Sequence, residues 1–215
     1  MKNLLSIILS FILIFSITGN SYAYTSNEAY DVCVINKNQI SIFDKTSGDR
    51  VIINVVANSS IMKTEIKTKN GNNYDGEIIW NKKNNTIYSS YTQKTVNVDT
   101  LTSSEKNLKS VESSKRYRIS YKELSDFVSD TSNTYTIAAA IIVVVAALVG
   151  GTIETGPGVI MSLISASIVI ITWGLNAQRS DKGIYVDVDK HLIKKHQGNQ
   201  IYTVEVYRIS NVGTY

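Results

Sequence analysis

Cys33 is the only cysteine among 215 residues, so the chain cannot close an internal disulfide. It lies outside any lipobox, which argues against a thiol-linked lipid anchor, and its alternating apolar surroundings suit a small buried hydrophobe. The two histidines, His191 and His196, are five apart rather than the four that align ligands on one helix face, and no acidic or cysteine cluster supports them. No G-x-S-x-G elbow and no phosphate-cradling glycine loop occurs. The carboxylate pairs Asp187/Asp189 and Glu123/Asp126 sit in polar text that gives no reason for a raised acidity constant. Neither an enzyme nor a cofactor is therefore expected. The 22 Lys and Arg against 18 Asp and Glu leave a net charge of only +4, and the signs are mixed. A phosphate-tracking stripe is absent, which argues against a nucleic-acid partner.

What is present begins with a leader. Lys2 precedes LLSIILSFILIFSI, and Ser21-Tyr22-Ala23 places small residues at the third and first positions before a cut. An apolar run of this length is short for a span of about 30 Å, so residues 1–23 read as a cleaved signal peptide and the mature, exported chain begins at Tyr24.

Residues 24–98 read as a small antiparallel β meander. DVCVIN, QISIF, RVIINVV, GEIIW, TIYSSY and KTVNV are separated by NKNQ, DKTSGD, ANSS, KNGNN and NKKNN, whose Asn, Asp and Gly suit turns. Such short strands make a thin sheet that needs another element to pack on. Residues 99–131 form a polar linker followed by KRYRISYKELSDFVSD. There Lys115, Arg116, Arg118 and Lys122 interleave with Tyr117 and Tyr121, ahead of a helical turn. These six residues are the candidate contact with anionic lipid or envelope polymer. An ordinary strand with solvated charges is the alternative.

From Ser132 to Gln178 the chain carries one charge, Glu154. Gly150, Gly151, Gly156, Pro157 and Gly158 surround that acid and predict a reversal, so residues 132–178 read as a hydrophobic helical hairpin rather than one helix. Ile137, Ile141, Val144 and Leu148 in the first limb, and Val159, Leu163, Ile170 and Trp173 in the second, are the candidate membrane-inserting residues. The β-branched runs IIVVV and IVIIT allow a strand alternative, but uninterrupted apolarity argues against a barrel. The turn has no Lys or Arg, whereas Arg179 and Lys182 follow the second limb. That distribution opposes the positive-inside bias of a protein built into its own cell's membrane. Residues 179–215 read as a C-terminal β-hairpin, with strands around 184–188 and 201–209 joined by a basic connector. The fold class is α+β: a meander, a helical hairpin and a terminal β-hairpin.

The leader, the Tyr- and Asn-rich strand region and the glycine-punctuated IAAAIIVVVAALVGG…GPGVIMSLISASIVIITWGL together resemble the geobacillin-type large secreted bacteriocin-like proteins of Gram-positive bacteria. The resemblance implies antibacterial activity, with bacterial membrane lipid as the partner. A cognate immunity protein and assembly into oligomers on the membrane are compatible with that reading. The expected function is a secreted, membrane-associating protein whose hairpin inserts into and permeabilises target membranes. Replacing Val144 or Ile170 by Lys is expected to abolish permeabilisation without affecting secretion. The alternatives are an envelope-anchored accessory or structural protein of the producer, and a soluble domain whose core is the hairpin.

Overall fold

The computed structural model describes residues 23–36, 38–101, 106–107, 114–129, 133–151, 153–154, 156–173, 180–197 and 200–215. The expected leader through Tyr22, most of the expected polar linker and residues 198–199 lie outside that set.

Eight strands run in strict sequence order across the first sheet, each antiparallel to the next. They are β1 (Ala23–Ser26), β2 (Tyr30–Asn36), β3 (Gln39–Asp44), β4 (Arg50–Ala57), β5 (Ile61–Asn70), β6 (Gly76–Asn81), β7 (Thr86–Ser89) and β8 (Lys94–Asn97). Alternation sets the inner face: Val32 opposite Ile42, Ile40 opposite Ile53, and Trp80 opposite both Met62 and Ile87 are all buried. Turn chemistry is visible at Asn85, which takes a left-handed φ of 51° between β6 and β7. The expected meander is present, with β1 and β5 added to the strands that the sequence marks. The ten-residue β5 was not expected, because IMKTEIKTKN holds only Ile61, Met62 and Ile66 as apolar groups among lysines and threonines. Met62, Thr64 and Ile66 nonetheless point inward.

A second sheet has the order β11-β13-β12-β10-β9. It contains β9 (Lys106–Asn107), β10 (Ser114–Ser120), β11 (Ile153–Glu154), β12 (Gly183–Gln197) and β13 (Gln200–Thr214). The basic and aromatic segment is thus strand β10, paired with β12 from Ser114 opposite Asp189 to Ser120 opposite Gly183. A single helical turn, α1 (Tyr121–Leu124), follows with a capping box between Ser120 and Glu123. The expected basic connector in the tail is strand as well. Lys190 to Gln197 stays paired with Gln200 to Tyr207, because hydrogen bonding across a hairpin sustains extended backbone where side-chain pattern alone does not.

The hairpin comprises α2 (Thr134–Val149) and α3 (Pro157–Trp173). Asn133 caps α2, its Oδ1 accepting from the amides of Tyr135 and Thr136. Gly150, at φ 71°, ends it in a Schellman motif, with Gly151 N donating to Ala146 O and Gly150 N to Ala147 O. Pro157 occupies the first turn of α3, where its missing N–H costs nothing. Glu154 lies in a two-residue strand parallel to β13 rather than in a bare turn. α2 packs on β5, β6, β7 and α3, while α3 packs on β13, β1 and β2. The helix pair is therefore the element that the thin meander required, and both contribute to one continuous core.

Candidate functional site

Every residue of α2 from Tyr135 to Ala147 is buried. A helix without a polar face has no side that favours water, so it persists only when enclosed by protein or lipid. Its β-branched run forms helix here because all sides are packed, which overrides local strand preference. Burying Ile137, Ile141, Ile142, Val143, Val144 and Val145 contributes about 9–18 kcal/mol. A hydrocarbon environment would supply a similar sum. The choice between protein and bilayer therefore rests on smaller, polar terms at the ends of the hairpin.

At the amino end of α2 stands a collar of tyrosines and carboxylates. Tyr135 Oη donates to Asp44 Oδ2 at 3.1 Å, and its ring lies 5.7 Å from that of Tyr74. Tyr74 Oη in turn donates to Asp49 Oδ2 at 2.7 Å, and Tyr91 Oη donates to the Tyr74 carbonyl at 3.1 Å. Burial, reinforced by Asp44, pushes the Tyr135 phenol well above its ordinary range; burial does the same to Tyr91. Both thus stay protonated as donors. Asp49 is itself buried, and hydrogen bonds led by that from Tyr74 hold its carboxyl below the usual range. No periodic signal in the sequence reveals this collar, because its members come from three turns and one helix end.

At the other end the tie is weak. Glu154 meets Arg208 at 3.1 Å, with both side chains half exposed to solvent, an arrangement worth about 0–1 kcal/mol. Tyr207 lies over Gly151, where a Cβ would come within 2.7 Å of its ring. Gly156 and Gly158 have open space around them.

The expected inserting residues are placed as follows. Ile137, Ile141, Val144, Leu163 and Ile170 are fully buried, and Leu148 and Val159 are half-buried. Trp173 ends α3, and its side chain lies outside the described set. α3 has an outer strip that sequence reasoning did not separate from its inner face, in which Ser162 and Ser165 lead to Ile168, Val169 and Ile171. Ser162, Ser165 and Ser167 each donate to the carbonyl four residues back, so their hydroxyls make no demand on water. No described helix is long and apolar enough to cross a membrane; at 1.5 Å per residue each limb measures about 25 Å.

Of the six expected lipid-contact residues, Lys115, Arg116, Tyr117 and Arg118 lie on β10 and Tyr121 and Lys122 on α1. Tyr117 and Tyr121 are buried in the core rather than presented at a surface. Arg116 is also engaged within the protein: it grips Asp187 through two bonds of 2.6 and 2.7 Å and stacks 4.1 Å above the Tyr185 ring. That pairing holds the Asp187 carboxyl below its ordinary range. Lys115 lies 5.2 Å from the Tyr117 ring centre. Arg118 lies 4.9 Å above the Tyr215 ring, and its buried Nε has no hydrogen-bond partner among the described residues. Arg118, Lys122, Ser120, Asp126 and Tyr215 line a cleft of about 560 Å³. The segment is thus mainly a cross-strand ladder, in which Tyr185 lies across Gly213 and Tyr215 across Gly183, and the missing Cβ atoms make room for the rings.

Among the described residues no three His, Cys, Asp or Glu side chains converge as a metal site. Cys33 is half-buried on β2. The chain was compared with protein-family models, curated proteins and solved structures, and it matches none of them.

Proposed function

We propose that this is an exported antibacterial protein that carries its hydrophobic hairpin sheltered in water and releases it into the membrane of a target bacterium. The observation behind this reading is the uniform apolarity of α2, enclosed on every side and tied by polar bonds only near its ends. A helical hairpin satisfies its backbone internally, so it can pass from protein to lipid as a unit without exposing unpaired amides. The modest lengths of the limbs favour disruption over a stable span. Helices of about 25 Å in hydrocarbon of about 30 Å thin the bilayer locally, and that distortion permeabilises it. A second reading, a soluble domain with the hairpin as its core, draws support from the complete burial of α2. Dye release from phosphatidylglycerol vesicles, measured with protein beginning at Tyr24, separates the two. Leakage at sub-micromolar protein supports insertion, and intact vesicles at every concentration refute it. Cell fractionation tests the envelope-tether alternative, since a tether stays with the producer's membrane.

A further inference from the structure

The terminal β-hairpin is longer than the body that it packs on. β10 covers one edge of β12 only as far as Asp189, and β11 covers β13 only at Tyr207 and Arg208. Beyond these points, Lys190–Gln197 and Gln200–Glu205 continue as a two-stranded arm whose outer edges pair with no described strand. Eight residues of strand extend it by about 26 Å.

The arm's side chains continue the alternation of the core. On β12 the inward series Ile184, Val186, Val188 runs on to Lys190, Leu192 and Lys194; on β13 the series Ile209, Tyr207 runs on to Glu205, Thr203 and Ile201. Leu192 is 67% exposed and Ile201 62%, more than any other large hydrophobic side chain among the described residues. The surrounding charge is one-sided. Residues 190–205 hold Lys190, Lys194 and Lys195 against Glu205 alone, and Lys190 neutralises that acid at 2.6 Å, which leaves Lys194 and Lys195 in excess.

We infer that this arm is a docking finger for an anionic lipid surface. The inference rests on the lipid-target reading above and names the element that makes first contact. Basic groups are drawn to the negative leaflet, while two aliphatic side chains enter the headgroup boundary. The open edges limit its depth, since their amides and carbonyls need the water and headgroups of the interface. A protein partner fits less well: Leu192 and Ile201 are two rungs apart with Lys194 and Thr203 between them, and lysines along a strand discourage edge pairing.

The test is co-sedimentation of the full exported chain with phosphatidylglycerol and with phosphatidylcholine vesicles, comparing wild type with Leu192→Asp/Ile201→Asp. Both positions are exposed, so the melting temperature should not move. The inference expects wild type to prefer the anionic vesicles and the variant to lose about tenfold or more of that binding. Unchanged binding by the variant overturns it, even if wild type leaks vesicles. Loss of self-association in sedimentation velocity, with lipid binding intact, overturns it in favour of a contact between copies. Wild type that binds through the arm but releases no dye upholds the finger and refutes hairpin insertion. Wild type that binds neither vesicle refutes both.

Discussion

Replacing Ile168 and Ile171 together by Lys separates the aqueous fold from the lipid-bound one. In water these side chains are 41% and 45% exposed on the outer strip of α3, so the new ammonium groups reach solvent. Each exchange then costs about 1 kcal/mol or less, mostly from lost partial burial of isoleucine. Within a bilayer the balance differs. A lysine at the middle of an inserted helix costs about 2.5–3.5 kcal/mol and less toward its end, where Ile171 lies, so the pair opposes insertion by roughly 4 kcal/mol. Snorkelling recovers part of this, which leaves at least about a hundredfold loss at 1.4 kcal/mol per factor of ten. The assays are thermal unfolding by circular dichroism and dye release from phosphatidylglycerol vesicles over a protein titration. Near-native melting with leakage abolished is the expected result. Near-native melting with undiminished leakage would refute the argument that α3 enters lipid. Val144→Lys and Ile170→Lys cannot serve this purpose. Both positions are fully buried, and a lysine there costs several kcal/mol, a large fraction of a typical folding stability, before any membrane is met.

Three further outcomes follow from the geometry. Arg116→Met should destabilise the fold by about 3–5 kcal/mol in urea titrations, because it strands the buried Asp187 carboxylate with Asn211 as its remaining side-chain donor; a loss below 1 kcal/mol would mean that the pair is not enclosed. Tyr135 keeps its proton in the folded state above the unfolded value of about 10, so the native chain binds more protons than the unfolded one at alkaline pH. The contribution of Tyr135 to stability should be flat below that pH and fall by about 1.4 kcal/mol per unit above it, on top of the same effect from Tyr91, and Tyr135→Phe should reduce the total slope in urea midpoints measured from pH 9 to 11. Gly183→Ala would drive a Cβ into the Ile119 carbonyl oxygen and against the Tyr215 hydroxyl, so a drop in stability of about 1–3 kcal/mol is expected in thermal melts; an unchanged melting temperature would contradict the close approach of β10 and β12.

Much of the fold was legible from local chemistry. Asn- and Gly-rich turns marked the meander, and the glycine-bracketed Glu154 marked the reversal between α2 and α3. The runs that the turns bound also supply the buried Val32, Ile40, Ile42 and Ile87. The misses share a cause: β1, β5 and the distal half of β12 are strands because a neighbour supplies their hydrogen bonds, and their polar residues carry little of the apolar pattern that betrays a strand on its own. The basic and aromatic segment shows the same limit. Its composition suggested a surface, whereas the alternating register of β10 sends Tyr117 inward and pairs Arg116 with an acid 71 residues away.

The sequence by itself determined that two uncharged limbs must leave water, since their side chains offer no polar face whatever surrounds them. Only the tertiary structure decided where they go in the aqueous form: α2 into the middle of the fold and α3 beside it with one side open. It also placed the tyrosine collar and the projecting arm, because both depend on contacts between residues that no local period connects.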